Sequence, residues 1–145
     1  MREILFRGKT YDGKWEQGDL RHGGYVHNDS ETYIMRSDYA LHNIPVDPKT
    51  VGQFTGLTDK NKAKIFEGDI VRCYDENLDD EFYAVVEFGN PNGAYNWGFQ
   101  LRPIAKASFN IDILLWVEME ETGATIEVIG NIYDNAELLK GGSNG

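Results

Sequence analysis

Cysteine, histidine and long apolar segments are scarce in this chain of 145 residues. Its single cysteine, Cys73, has no partner within the chain for a disulfide, which is typical of proteins from a reducing compartment. No apolar run approaches the ~20 residues that cross a bilayer. The opening MREILFRGKTYDG also lacks the apolar core of a signal peptide. We therefore expect a cytoplasmic protein that does not partner a membrane.

Basic residues are scarce in the second half of the chain. Residues 73–145 contain 3 Lys/Arg and 13 Asp/Glu, whereas residues 1–72 contain 11 of each, so the net charge of −10 arises after residue 72. An acidic surface repels phosphate, which disfavours nucleic acid as a partner. It either keeps the protein soluble or attracts a basic protein. The candidate acidic clusters for such a contact are Asp75, Glu76, Asp79, Asp80 and Glu81, and then Glu118, Glu120 and Glu121.

Signatures of catalysis and of metal binding are also missing. The histidines, His22, His27 and His42, have no ligand spacing with Cys73, and the chain has no CxxC, HExxH, calcium-loop or GxSxG motif. We predict no catalytic residue, no metal site and no cofactor, and therefore no enzyme. A small hydrolase or ligand-binding protein, using Asp29-Ser30 with His22 or His27, is the weaker alternative.

Aromatic residues are plentiful, with three Trp, eight Tyr and seven Phe, and they favour strands. Asp12-Gly13 between two extended runs predicts a hairpin. Alternating apolar residues over 82–88, followed by the turn-forming GNPNG of 89–93, predict another strand and turn. The predicted fold class is mainly β, or at most a β-rich α+β fold.

Two lobes are predicted within this fold. Residues 1–63 are interpreted as a hairpin-rich N-terminal lobe and residues 64–140 as an SH3-like small β-barrel with a short C-terminal helix. The helix is expected after Asn135 as its N-cap. Residues 141–145 are predicted to be a disordered tail, and one continuous domain is the alternative to two lobes.

Two segments of the chain have similar sequences, KWEQGDL at 14–20 and KIFEGDIV at 64–71. Each copy reaches Gly-Asp and then a branched aliphatic residue. Glycine takes positive φ without strain, and aspartate accepts hydrogen bonds from nearby amides. We therefore predict that Gly18-Asp19 and Gly68-Asp69 are structural turns rather than a pair of catalytic acids.

Two segments are left open by their patterns. Tyr95, Trp97 and Phe99 alternate with polar residues, which fits either a buried core face or a protein interface. A base-stacking role is disfavoured because residues 73–101 contain no Lys or Arg. Residues 104–119 have period-2 apolar positions but also permit a helix.

Three long stretches give the chain a family resemblance. They are VDPKTVGQFTGLTDKN at 46–61 with KIFEGDIV at 64–71, REILFRG at 2–8 with Trp15, Gly18 and Asp19, and VIGNIYDN at 128–135 with Glu137-Leu138-Leu139. Together they resemble the YopX family of phage proteins over nearly the whole chain. The family usually has Gly after the residue equivalent to Asn61, whereas this chain has Lys62. That departure weakens the case for a tight two-residue turn at this point.

The resemblance implies a β-rich phage or prophage protein that acts inside a bacterial host, without assigned catalytic residues. We interpret the chain as an accessory protein that works by protein–protein contact with a basic host or phage protein. We also expect a homo-oligomer, because edge strands and aromatic faces of small β proteins need cover. The alternative is a nucleic-acid-associated SH3-like module that uses Arg2, Arg7, Lys9, Lys60, Lys62 and Lys64.

Overall fold

The computed structural model describes residues 3–22, 32–36, 42–89, 98–104, 111–118, 120 and 123–140. The chain forms two compact units, Met1–Gly56 and Leu57–Gly145. The division falls before the predicted boundary at residue 63. The division lies there because the segment after Leu57 forms hydrogen bonds with residues 126–128, near the end of the chain. Lys60 N–H donates to the Ile126 carbonyl, and Val128 N–H donates to Asp59 Oδ2.

The first sheet has the strand order β4-β3-β2-β1-β5-β6. Neighbouring strands from β4 to β5 pair antiparallel, and the predicted Asp12-Gly13 turn joins β1 to β2 with a φ of 94° at Gly13. Among the described residues of the first unit, the buried apolar side chains are Ile34, Val46 and Phe54. The strands are β1 Phe6–Lys9, β2 Trp15–His22, β3 Thr32–Arg36, β4 His42–Pro45, β5 Asp47–Thr58 and β6 Lys64–Phe66.

The second sheet has the strand order β10-β9-β8-β7-β11, and every neighbouring pair is antiparallel. Its core alternates along β7 and β8, where Val71, Cys73, Ala84 and Val86 are buried. The elements are β7 Asp69–Asp75, β8 Asp80–Gly89, β9 Gly98–Pro103, β10 Ile111–Asp112, α1 Ile113–Glu118, β11 Ala124–Asn131 and a 3₁₀ helix, Ala136–Leu139.

The mainly β prediction is confirmed, but the SH3-like barrel is not found among the described residues. β10 contains two residues and leads directly into α1, so it offers too short an edge to close onto β11. The predicted C-terminal helix is a single 3₁₀ turn. Asn135 does not cap it with its side chain, because Asn135 Oδ1 accepts the Asn131 N–H instead.

Both segments that the sequence left open have a partial answer. Within residues 104–119, the chain forms the short β10 and then the helix α1. The helix buries Ile113 and Trp116, three residues apart, and exposes Leu114 and Leu115. Phe99 is a core residue that packs against Phe88 with ring centroids 4.8 Å apart. Tyr95 and Trp97 lie outside the described residues.

The two Gly-Asp copies have different structures. Gly68 has a φ of 92° between β6 and β7, and the buried Asp69 accepts the Phe66 N–H at 2.7 Å. The first copy is not a turn, because Gly18 and Asp19 lie within β2. A Cβ on Gly18 would stand 2.3 Å from the Met35 carbonyl oxygen of β3. Gly18 therefore permits a close approach of two strands, and Asp19 is exposed.

The two aspartates should respond differently to the same substitution. Asp69→Ala removes a buried charged acceptor, so we expect the free energy of unfolding to fall by about 2 kcal/mol. Asp19→Ala, the matched control at an exposed site, should change it by less than about 0.5 kcal/mol. Urea denaturation of both variants measures the difference, and equal destabilisation would contradict the assignment of the two copies.

A tight turn does form at residues 59–63, contrary to the expectation from the missing glycine. Asp59 N–H donates to the Ala63 carbonyl at 2.8 Å, and Lys62 N–H donates to the Asp59 carbonyl at 2.9 Å. Asp59 Oδ1 also accepts the N–H groups of Asn61 and Ala63. These bonds hold Lys62 at a φ of 67°, the left-handed region that favours glycine.

Lys62 therefore carries a backbone cost that glycine would not. Left-handed backbone costs an L-residue roughly 1–2 kcal/mol. Replacing Lys62 with glycine removes this cost, but part of the stability gained is offset because glycine is more flexible in the unfolded chain. We expect Lys62→Gly to be more stable than Lys62→Ala by about 1 kcal/mol in thermal or urea unfolding. The alanine variant is the control because it removes the side chain and keeps the strain. A less stable glycine variant would refute the role of backbone strain.

Candidate functional site

The first acidic cluster lies at the turn that connects β7 to β8. Asp75 and Asp80 are paired in register, and the Asn77 N–H donates to Asp75 Oδ1 at 2.9 Å, which closes the turn. Asp79 has a φ of 48°, a conformation that aspartate tolerates better than most residues. Residues 76–81 are exposed, whereas Asp75 is buried. The turn thus presents several carboxylates at one end of the hairpin.

An apolar pocket of about 170 Å³ lies beside this turn. Asp75 and Asp80 are among its lining residues, and we call it the acidic-rimmed pocket. A cavity of roughly this size holds one benzene ring, whereas small-molecule sites usually span about 300–1,000 Å³. The pocket therefore fits a single side chain better than a cofactor. Its apolar lining is formed by Leu78, Phe82, Pro103, Ile111 and Trp116.

The floor of the acidic-rimmed pocket is fixed by aromatic contacts. The rings of Phe82 on β8 and Trp116 on α1 meet edge to face, with centroids 5.3 Å apart. The Trp116 indole N–H donates to the Thr125 carbonyl at 2.9 Å, which holds the ring orientation. Leu78 stands on the rim and is 73% exposed. A rigid aromatic floor beside an exposed aliphatic rim is a typical setting for an apolar anchor of a partner.

Neighbouring side chains modify the charge of the first cluster. Arg72 Nε donates to Glu81 at 2.8 Å and Arg72 Nη1 donates to Glu127 at 3.2 Å, and the bond to Glu81 is the main cause of the raised pKa of Arg72. The Tyr74 hydroxyl donates to Asp79 at 3.1 Å, and this bond raises the pKa of Tyr74. Glu81 is therefore committed to Arg72, so the predicted cluster is not one uniform surface.

The second acidic cluster adjoins the first. Glu118 is the last residue of α1, and Glu118 and Glu120 are exposed, while Glu121 lies outside the described residues. The Glu76 N–H donates to the Gly123 carbonyl at 3.1 Å, and the Gly123 N–H donates to the Glu120 carbonyl at 3.1 Å. The structure thus brings together two acidic segments that are far apart in sequence, next to the pocket.

The remaining candidate residues do not converge. Among the described residues, no group of three His, Cys, Asp or Glu side chains is placed to hold a metal ion. The exposed His22 has its Nδ1 3.5 Å from Thr32 Oγ1, whereas His27, Asp29-Ser30 and the His42 side chain lie outside the described residues. In the same part of the chain, no helix is long and apolar enough to cross a bilayer.

These features define a class of protein: a two-unit β protein whose described surface offers an acidic-rimmed pocket. Residues 5–140 match the family described as YopX protein, so the chain belongs to that family. The resemblance drawn from the sequence motifs is therefore confirmed. The chain matches no curated protein.

A solved structure has a similar fold. It is the crystal structure of protein EF1440 from Enterococcus faecalis, which is 20% identical, with a TM-score of 0.53. The match covers 97% of this chain and 100% of that chain. At this identity the likeness concerns the fold alone.

Cys73 is a core residue rather than a surface nucleophile. It lies in β7 and is fully buried among the apolar side chains of the second unit. Burial raises the pKa of the Cys73 thiol from 9.0 to about 12. Thiolate is the reactive form of cysteine, so this thiol is inert at neutral pH.

We expect the folded protein to react with a thiol reagent such as dithionitrobenzoate at pH 8 only as fast as it opens, and at once in denaturant. Fast reaction without denaturant would show that Cys73 is accessible.

The raised pKa of Cys73 also predicts how the free energy of unfolding depends on pH. Because the folded pKa is the higher one, its contribution to the free energy of unfolding is complete below about pH 9 and is lost as the pH rises through 12. A Cys73→Ala variant should lack this part of the alkaline loss.

Proposed function

We propose that the protein is a non-enzymatic, phage-encoded accessory protein that acts by protein–protein contact in the cytoplasm of a bacterial host. Membership of the YopX family fits a phage-associated protein. The observation that carries the proposal is the junction of two acidic segments, at Glu76 and Gly123, beside an exposed apolar pocket. Contact surfaces of proteins combine an apolar centre with a polar rim in this way.

The charge of the surface favours a basic partner. The net charge of −10 arises from residues 73–145, which include both acidic segments. Glu76, Glu118 and Glu120 are exposed, so a partner approaching the acidic-rimmed pocket meets carboxylates from both turns. Complementary charge speeds encounter and selects partners, although it adds less to affinity.

The alternative, a nucleic-acid-associated SH3-like module, has less support. Nucleic-acid binding depends on basic groups that are available to phosphates. In the second unit, Arg72 is paired with Glu81 and Glu127, and Arg102 is paired with Glu87 at 2.9 Å. Of the first-half candidates, Lys60 lies 3.7 Å from Glu127, and Arg7 stacks over the Trp15 ring.

Self-association is a second part of the proposal. Leu114 and Leu115 of α1 are 50% and 54% exposed, and adjacent apolar side chains on a surface helix favour contact with another chain. A dimer would cover them. Light scattering after size-exclusion chromatography measures the mass of the protein in solution. A monomeric mass at a protein concentration on the order of 100 µM would contradict self-association.

Charge reversal at the acidic junction tests the contact itself. The variant Glu76→Lys/Glu118→Lys/Glu120→Lys should lose a protein that the tagged wild type retains from nuclease-treated host lysate. Binding should fall at least about tenfold, because like charges at an interface repel. Mass spectrometry and then titration with the purified partner measure the loss.

The matched control is Glu3→Lys/Asp19→Lys/Glu137→Lys, which changes the net charge equally at exposed sites elsewhere. It should retain the partner. Equal retention by both triple variants would refute the acidic junction as the contact. A partner that disappears with nuclease in the wild type would instead support the nucleic-acid alternative.

A further inference from the structure

The acidic-rimmed pocket combines an apolar floor with acidic residues. Five apolar residues line it together with Asp75 and Asp80. Phe82 and Trp116 are largely buried, so the floor is preformed. A preformed pocket avoids part of the ordering cost of binding.

We propose that this pocket takes one apolar side chain of a partner segment that carries Lys or Arg on both sides of it. The inference rests on the proposed function and specifies the partner's chemistry. A basic residue alone would leave the apolar floor unused, and an apolar residue alone would make no use of the negative charge of the exposed Glu76, Glu118 and Glu120. A basic–apolar–basic segment matches both parts of the site.

The size of the pocket limits the apolar residue. A volume of about 170 Å³ accommodates one leucine, methionine or phenylalanine side chain, by comparison with the benzene ring held by a cavity of roughly 150 Å³. Residues 141–145, Gly-Gly-Ser-Asn-Gly, contain no apolar side chain and cannot fill it. This tail segment is therefore not the occupant.

The charge around the pocket determines the flanking residues. Glu76 and Asp79 belong to the same turn as the pocket wall, and Glu118 and Glu120 belong to the adjoining segment. Residues 73–101 contain no Lys or Arg, so no basic side chain from that stretch competes for these carboxylates. Basic residues that flank the anchor would lie near these carboxylates.

A peptide series tests this pairing with the full chain. The probe is fluorescein-labelled Gly-Lys-Lys-Leu-Lys-Lys-Gly, compared with peptides in which Ala replaces Leu or Glu replaces every Lys. Fluorescence polarisation gives the affinities. We expect the leucine peptide to bind about tenfold tighter than the alanine peptide, since burying a leucine side chain contributes roughly 1.5–3 kcal/mol. The glutamate peptide should not bind.

Variants at exposed positions connect the affinities to the pocket. Leu78→Ser should reduce binding of the leucine peptide to the level of the alanine peptide and leave the alanine peptide unchanged. Ile4→Ser is the control, because Ile4 is 66% exposed in the first unit. Glu76→Gln/Asp79→Asn should weaken both lysine peptides, whereas Glu137→Gln should not. Asparagine suits the left-handed backbone of residue 79, so this variant keeps the turn.

Two results would overturn the inference. One is equal binding of the leucine and alanine peptides, which would leave only attraction between charges. The other is a leucine preference that survives Leu78→Ser, which would place the apolar contact elsewhere. Neither result bears on the lysate experiment, where loss of the partner after charge reversal would still support the proposed function. Conversely, a confirmed leucine preference with no captured partner would leave the pocket intact and count against the proposed role.

Discussion

The carboxylate of Asp59 holds the second unit together at the point where its chain begins. Asp59 is buried, and its two oxygens accept N–H groups from Asn61, Ala63 and Val128. One side chain thus closes a turn and attaches it to β11, 69 residues further along. A buried carboxylate is costly unless it is well bonded. Because three amides satisfy it, it fixes the turn firmly enough to keep Lys62 in a left-handed conformation.

The candidate site depends on the same kind of local bonding. Asp75 closes the β7–β8 turn through the Asn77 N–H, and this turn carries the rim residue Leu78. The floor depends on Trp116, whose indole is anchored to β11. Strand pairing brings these parts together, because Asp75 lies opposite both Asp80 and Ala124 in the sheet. The chemistry of the pocket is therefore assembled by the register of β7 with its two neighbours.

Local patterns predicted the parts of this fold that local forces decide. The Asp-Gly hairpin, the strand at 82–88 and the Gly68-Asp69 turn needed only nearby residues. The identical Gly18-Asp19 could not be distinguished from a turn in the sequence. Its glycine is required by the close approach of Met35, which lies on another strand. The prediction of a barrel failed for a similar reason. Closure of a barrel depends on the pairing of its edge strands, which the alternation of apolar and polar residues does not reveal. The acidic clusters were visible as runs of charge, but the pocket was not, because β8, β9, β10 and α1 each contribute one apolar residue to it.

Gly123 gives the acidic surface a property that its charge count does not describe. It has a φ of 100°, and a Cβ at this position would stand 2.5 Å from Glu76 Cγ. The Glu76 side chain therefore occupies the space that a side chain at position 123 would need. A larger residue there would displace the Glu76 side chain and its carboxylate. The position of the Glu76 carboxylate beside the second acidic segment thus depends on a residue that carries no charge at all.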